Sequence, residues 1–135
     1  MADNLTEKQR SACMSAVRDR DTTPEMLVRQ VAHSMGYRYS LHRRSLPGKP
    51  DLVFVSRRKI VFVHGCFWHA HECDRGRRIP VSNTNYWHTK RTRNKERYNE
   101  QERSLRAASW EVLVIWECWT HDLKTLRKRL RDFLD

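Results

Sequence analysis

Residues 64–73 read His-Gly-Cys-Phe-Trp-His-Ala-His-Glu-Cys. These ten consecutive positions hold two cysteines, three histidines and an adjacent pair of large aromatics. Thiolate and imidazole are the ligands that tetrahedral Zn²⁺ prefers, so Cys66, His71 and Cys73 form a candidate ligand set. Three donors this close in sequence grip one ion only where the backbone doubles back, so the stretch is expected to be a loop. The fourth ligand must come from elsewhere. Cys118 is the best placed, because it follows the apolar run 112–116 and would stand at a strand end. Four protein ligands close the coordination shell, which marks a structural ion and not a catalytic one. His64, His69, Phe67 and Trp68 are left over, presented by a metal-stiffened loop that directly follows a strand.

The 135 residues suffice for one domain, 1–135, with one core. A formal net charge of +11 favours a polyanionic partner, nucleic acid first and an anionic membrane second. No apolar stretch approaches transmembrane length, so a membrane is not expected as partner. The start Met-Ala-Asp-Asn-Leu-Thr lacks the basic-then-apolar order of a signal peptide. The expected setting is a reducing, bacterial-type cytoplasm, with the protein on the nucleoid. There cysteines read as metal ligands and not as a disulfide framework. Cys13 is expected to pack as a small apolar group on its helix.

Along the chain, Thr6 and Gln9 make a capping box for a helix over about 5–18. Thr23-Pro24-Glu25 reads as N-cap, proline at the first helical position and an acid in the first turn. That helix is expected to run to about Met35 and stop at Gly36. Residues 37–41 suggest a short edge strand. Residues 51–55 and 59–64 are β-rich runs joined by Ser56-Arg57-Arg58, a hairpin. Both runs are almost continuously apolar, so both faces are expected to be covered. Residues 86–108 suit a long exposed helix, 110–116 another buried strand, and Asp122 caps a last helix. Its inward positions are Leu123, Leu126, Leu130, Phe133 and Leu134. The fold expected is α/β, a mixed sheet flanked by helices, with the last strand parallel to a member of the hairpin.

Asp51 opens the first hairpin strand and His64 ends the second, so an antiparallel turn brings them to one edge, with His69 hanging over it. A carboxylate there would hold Mg²⁺ by oxygen. An imidazole poised near neutrality would take a proton from an attacking water. Together with the basic surface this points to phosphodiester hydrolysis. On the long helix, Lys90, Arg91 and Arg93 precede its first acid, Glu96, and are expected to touch phosphate. Phe67 and Trp68 read either as a satellite core over the zinc or as a wedge between base steps.

Pro47-Gly48-Lys49-Pro50-Asp51, the run 62–69, His71, Cys73 and Trp116-Glu117-Cys118 resemble the very-short-patch repair (Vsr-type) mismatch endonucleases. The resemblance spans residues 10–118. It implies the restriction-endonuclease-like fold and strand nicking beside the thymine of a T·G mismatch, the lesion left by deamination of 5-methylcytosine. By the same resemblance Asp51 binds Mg²⁺ together with the backbone carbonyl of Val63. His69 is the general base and His64 a second active-site histidine. Glu25 and Asn94 hold metal-bound waters. Cys66, His71, Cys73 and Cys118 bind zinc, Phe67 and Trp68 form an aromatic wedge, and Met14 enters the other groove.

The reading is therefore an Mg²⁺-dependent, zinc-stabilised endonuclease acting as a monomer on mismatched double-stranded DNA, with mismatch-repair proteins as recruiting partners. Two rivals stand beside it. One is a nicking or restriction-type nuclease of the same fold without mismatch specificity. The other is a non-catalytic zinc-stabilised DNA-binding module.

Overall fold

The computed structural model describes residues 22–135. The expected helix over 5–18, with Cys13 and Met14, lies outside the described residues. The first described helix, α1, spans Thr23–Ser34. Its N-cap is Thr22, one residue earlier than the sequence suggests: the Thr22 hydroxyl accepts the Glu25 N–H at 3.4 Å. Glu25 thereby sits in the first turn, where its charge meets the helix dipole favourably. The helix ends at Met35, and Gly36 follows at a left-handed φ of 88° that suits glycine.

Four strands form one sheet in the order β1-β2-β3-β4. They are β1 (Ser40–Leu41), β2 (Leu52–Phe54), β3 (Lys59–His64) and β4 (Glu111–Trp116). The hairpin partners β2 and β3 are antiparallel, with Leu52 opposite Val61 and Val53 opposite Ile60. Their connection tightens into a 3₁₀ turn over Val55–Arg57, and Arg58 closes it in the left-handed region. Strand β4 pairs parallel to β3, from Lys59 opposite Glu111 to His64 opposite Trp116. That parallel partner requires a crossover, which the helix α3 (Thr84–Ala107) supplies after the short α2 (Asp74–Arg77).

Side chains alternate across the sheet and divide the core in two. Leu52, Phe54, Val61 and Ile115 face α1 and the last helix, α4 (Leu123–Leu134). Val53, Ile60, Phe62 and Val112 face α3, which contributes Tyr98 and Leu105. Both faces of the sheet are covered, as the unbroken apolar runs imply. His64 follows the parity of Ile60 and Phe62, so it points to the α3 side.

Two details differ from the sequence reading. Helix α3 is not simply an exposed polar rod, because Trp87, Arg91, Tyr98 and Leu105 are buried along it. On α4 the inward stripe is Leu126, Leu130 and Leu134, while Leu123 is 48% exposed. Leu123 follows the cap Asp122 immediately, before the helix has turned onto the core. No described helix is long and apolar enough to cross a membrane.

Leu130 is fully buried between α1 and the sheet. Leu130→Ala is expected to destabilise the fold by about 2–5 kcal/mol. Urea denaturation would show this as a lowered midpoint at unchanged slope.

Candidate active site

Two polar clusters form at the end of the sheet where β3 and β4 terminate. The first grows from the turn after β3. His69 N–H bonds to Gly65 O at 3.2 Å, and His71 N–H to Cys66 O at 3.0 Å. Ala70 takes a left-handed φ of 51° at the reversal. The parallel register then brings Cys118, just past the end of β4, beside Cys66, whose sulfur accepts the Cys118 N–H at 3.4 Å. As a result Cys66, His71, Cys73 and Cys118 present donor atoms that all lie within 4.8 Å of one another. Burial pushes the Cys66 thiol up to about 12, so its thiolate calls for a cation. Three sulfurs and one imidazole nitrogen suit a borderline-soft ion in a tetrahedral shell. Glu117, missed in the sequence, braces the loop by accepting the Cys66 N–H at 3.3 Å.

Gly76 in α2 shows how closely the loop is packed. A Cβ there would lie 2.6 Å from His71 N and overlap the His71 carbonyl oxygen.

The second cluster is oxygen-rich. Opposite Val63 the chain carries Pro50, which has no N–H to give to β3. The ladder stops there, and the Val63 N–H goes to the Asp51 side chain, whose Oδ2 accepts it at 2.7 Å. Asp51 is joined by Glu25 from α1 and by His42, and the three donor atoms lie within 4.8 Å of one another. Glu25 is 1% exposed and is held by Arg29 and by His42 Nε2, the latter at 3.0 Å. Burial, opposed by the Val63 N–H and reinforced by Glu25, raises the Asp51 carboxyl from 3.8 to about 8. Two carboxylates this close and this buried repel unless a proton or a cation lies between them. The donor set fits a hard divalent ion with one imidazole at its edge.

Between the clusters lies a cleft of about 490 Å³, lined by Asp51, Val63, His64, His69, Asn94 and Arg97 among others. His64 and His69 stack face to face, with ring centroids 3.7 Å apart and planes 5° from parallel. The Tyr98 ring stands edge-on to His64 at 4.5 Å. Burial, with the His69 imidazole adding to it, holds His64 at about 2. Burial and the Arg97 charge hold His69 at about 4. Both rings are therefore neutral at pH 7, and a neutral ring has a lone pair able to take a proton.

The structure brings Asp51, His64, His69 and Asn94 to one cleft, with Glu25 buried against Asp51. Asn94 also ties the loop to α3, its side-chain N–H donating to Trp68 O at 3.1 Å. Phe67 and Trp68 pack edge-to-face with Trp87, at 5.4 and 5.7 Å. Lys90 and Arg93 border a groove on α3. Arg91 corrects the surface reading. It is 5% exposed, its guanidinium lies 5.0 Å from the centre of the Phe67 ring, and it donates to Arg78 O at 3.1 Å. So placed, it props the aromatic loop and is turned away from any phosphate on the surface. Its burial has a sequence signal that was missed: Trp87, Tyr98 and Leu105 fall on one helical stripe that also passes through residue 91. His42 and Arg29 carried no such signal, being isolated polar residues brought to the site by the fold.

The family model described as DNA mismatch endonuclease Vsr matches residues 2–75. The chain is 47% identical over 135 residues to the type II nicking enzyme V.XorIIP of Xanthomonas oryzae pv. oryzae, covering 100% of this chain and 98% of that protein. The chain belongs to the Vsr family. It is also 39% identical to the type II nicking enzyme V.NmeAIP of Neisseria meningitidis, over 96% of this chain and 92% of that one. To the DNA mismatch endonuclease Vsr of Escherichia coli it is 36% identical, over 87% of this chain and 75% of that one. The Vsr match includes β2, β3 and the Cys/His loop, and with them the cleft-lining residues from His42 to His69.

Two outcomes test this geometry. Gly76→Ala is expected to cost about 1–3 kcal/mol and to weaken metal retention by the Cys/His cluster, read by denaturation and metal analysis. For Asp51, the folded carboxyl keeps its proton to about 8, whereas the unfolded one loses it near 3.8. Its contribution to stability is full below the lower value and is lost as pH rises through the upper one. Without added divalent cation, melting temperature is therefore expected to fall between pH 5 and 8. Asp51→Asn should flatten that fall.

Proposed function

We propose that this chain is a strand-nicking DNA endonuclease that hydrolyses one phosphodiester beside the thymine of a T·G mismatch. The observation that carries the reading is the convergence on one cleft of a carboxylate cluster and a neutral, stacked histidine pair, in a chain of net charge +11. A scissile phosphate entering the cleft would meet oxygen donors on one side and imidazole on the other.

Asp51, the Val63 carbonyl, Glu25 and His42 are the groups that would hold Mg²⁺, with Asn94 at the far wall. When bound, the ion would offset charge on the phosphoryl oxygens and polarise the attacking water. His69 accepts the proton of that water. Burial keeps the ring neutral and ready, and the negative charge of an approaching phosphate shifts it toward the range where transfer is efficient. His64, stacked on His69 and backed by Tyr98, fixes the plane of the base. Cys66, His71, Cys73 and Cys118 would hold Zn²⁺, which clamps both ends of the loop bearing His69.

Mismatch preference fits the aromatic loop. Phe67 and Trp68 are half-buried beside Trp87, and the three rings pack into one aromatic cluster on the loop that carries His69. Inserting such rings into duplex DNA costs a few kcal/mol per base step, and less where pairing is already defective. Lys90 and Arg93 supply phosphate contacts that set position without reading sequence. One domain acting as a monomer, residues 1–135, satisfies all of these roles.

A duplex carrying one T·G pair and its fully paired twin, each incubated with Mg²⁺, decide the matter. Nicking of the thymine strand in the first alone is expected, and equal cutting of both would remove mismatch specificity. Asp51→Ala should slow nicking by about 10²–10³-fold or more while binding persists. Several of the similar proteins are named type II nicking enzymes, which favours a second question for the same assay. A panel of T·G duplexes with varied flanks would reveal whether a particular sequence context is demanded.

A further inference from the structure

We infer that Arg97 is a catalytic residue that binds the non-bridging oxygens of the scissile phosphate on the wall of the cleft facing the carboxylates. The inference rests on the endonuclease reading above and adds to it a group that reading leaves out. Hydrolysis builds negative charge on the non-bridging oxygens, and a cation held by the carboxylate cluster would offset it from one side only. A cation on the opposite side has to come from the protein.

Three basic side chains line the cleft: Arg44, Lys49 and Arg97. Arg44 stands in the turn after β1, and Lys49 stands in the loop that leads to Asp51, with a left-handed φ of 46°. Both therefore come from the segment that leads into Asp51 and not from α3. Arg97 comes from α3, the wall that also carries Asn94 and Tyr98. It is near enough to His69 for its charge to weigh on that ring. Helix α3 is anchored by the buried Trp87, Tyr98 and Leu105, so the guanidinium is mounted on a rigid element. Among the described residues no carboxylate pairs with Arg97, which leaves its planar fork available for two phosphate oxygens.

Arg97 also stands where two cavities meet. It lines the catalytic cleft and also a neighbouring groove of about 460 Å³ with Tyr86, Lys90, Arg93 and Asn94. Lys90, Arg93 and Arg97 recur at three- and four-residue steps, so they lie on one helical stripe. A DNA strand following that stripe by its phosphates is led to Arg97 and then into the cleft. In the step itself the oxygen of water bonds to phosphorus and its proton passes to His69. The bond from phosphorus to the leaving sugar oxygen breaks, and that oxygen takes a proton from solvent. Arg97 neither gives nor takes a proton, and its contacts strengthen as charge builds on the non-bridging oxygens.

The test compares wild type, Arg97→Ala and Arg97→Lys on one T·G duplex, by single-turnover nicking at saturating enzyme and by binding without added Mg²⁺. Because Arg97 is exposed, both variants are expected to keep the wild-type melting temperature. Arg97→Ala should lose about 10²–10³-fold in saturated rate and less than about 10-fold in affinity. Arg97→Lys keeps the charge without the fork and should fall between. Added guanidinium ion should restore part of the Arg97→Ala rate, an effect that no purely structural role would give. If wild type nicks while Arg97→Ala keeps the full saturated rate and loses only affinity, Arg97 is an anchor and the assignment is overturned alone. If wild type cuts no duplex, the endonuclease reading falls and takes this assignment with it.

Discussion

The parallel pairing of β3 with β4 is the constraint on which everything else rests. Because the two strands run the same way, both chains leave the sheet at one end. His64 opposite Trp116 fixes the register, and the cysteines two residues beyond each strand end, Cys66 and Cys118, are carried to the same point. Had β4 been antiparallel, Cys118 would have emerged at the far end of the sheet. The soft-donor cluster could not then have formed. The crossover helix α3 is the topological consequence of that pairing, and it becomes the second wall of the cleft.

Burial then acts on the two sides of the cleft in opposite senses. It disfavours charge everywhere, so it raises the Asp51 carboxyl and lowers the His64 and His69 imidazoles. On the carboxylate side the result is a strong demand for a cation. On the histidine side it is a pair of neutral rings beside a free arginine. A divalent ion and a phosphate arriving together satisfy both demands, whereas either alone satisfies one. The fold thus gathers both demands at one cleft, beside a loop whose Cys66, His71, Cys73 and Cys118 donors converge.

The sheet was legible because its apolar runs are unbroken, as strands covered on both faces must be, and the Cys/His spacing by itself marks a loop. Asp51 and His64 were legible because a hairpin brings its outer ends together. The parts that were not legible depend on single side chains placed by distant segments. His42 meets Glu25 across seventeen positions of sequence and belongs to no pattern. Glu117 reaches Cys66 from just past the end of β4. Arg91 was misjudged because a basic residue beside Lys90 and Arg93 reads as surface, although it shares a stripe with Trp87 and Tyr98. Composition distinguishes charged from apolar, but only the packing of α3 against the aromatic loop decides which cation is turned inward.

That inward arginine bears on how a loop rich in aromatics stays ready to open DNA. Phe67 and Trp68 are half-buried. The guanidinium of Arg91 under Phe67, the edge of Trp87 and the Asn94 bond to Trp68 O hold the pair from beneath. The Cys66 and His71 donors hold it from each side. A wedge that is pre-positioned in this way does not have to be ordered at the moment of insertion, so more of its contact energy remains to offset unstacking. His69 rides on the same rigid loop two residues from His71. On the proposed reading, insertion of the aromatics and placement of the proton acceptor would be one event, and a duplex that resists the first would be denied the second.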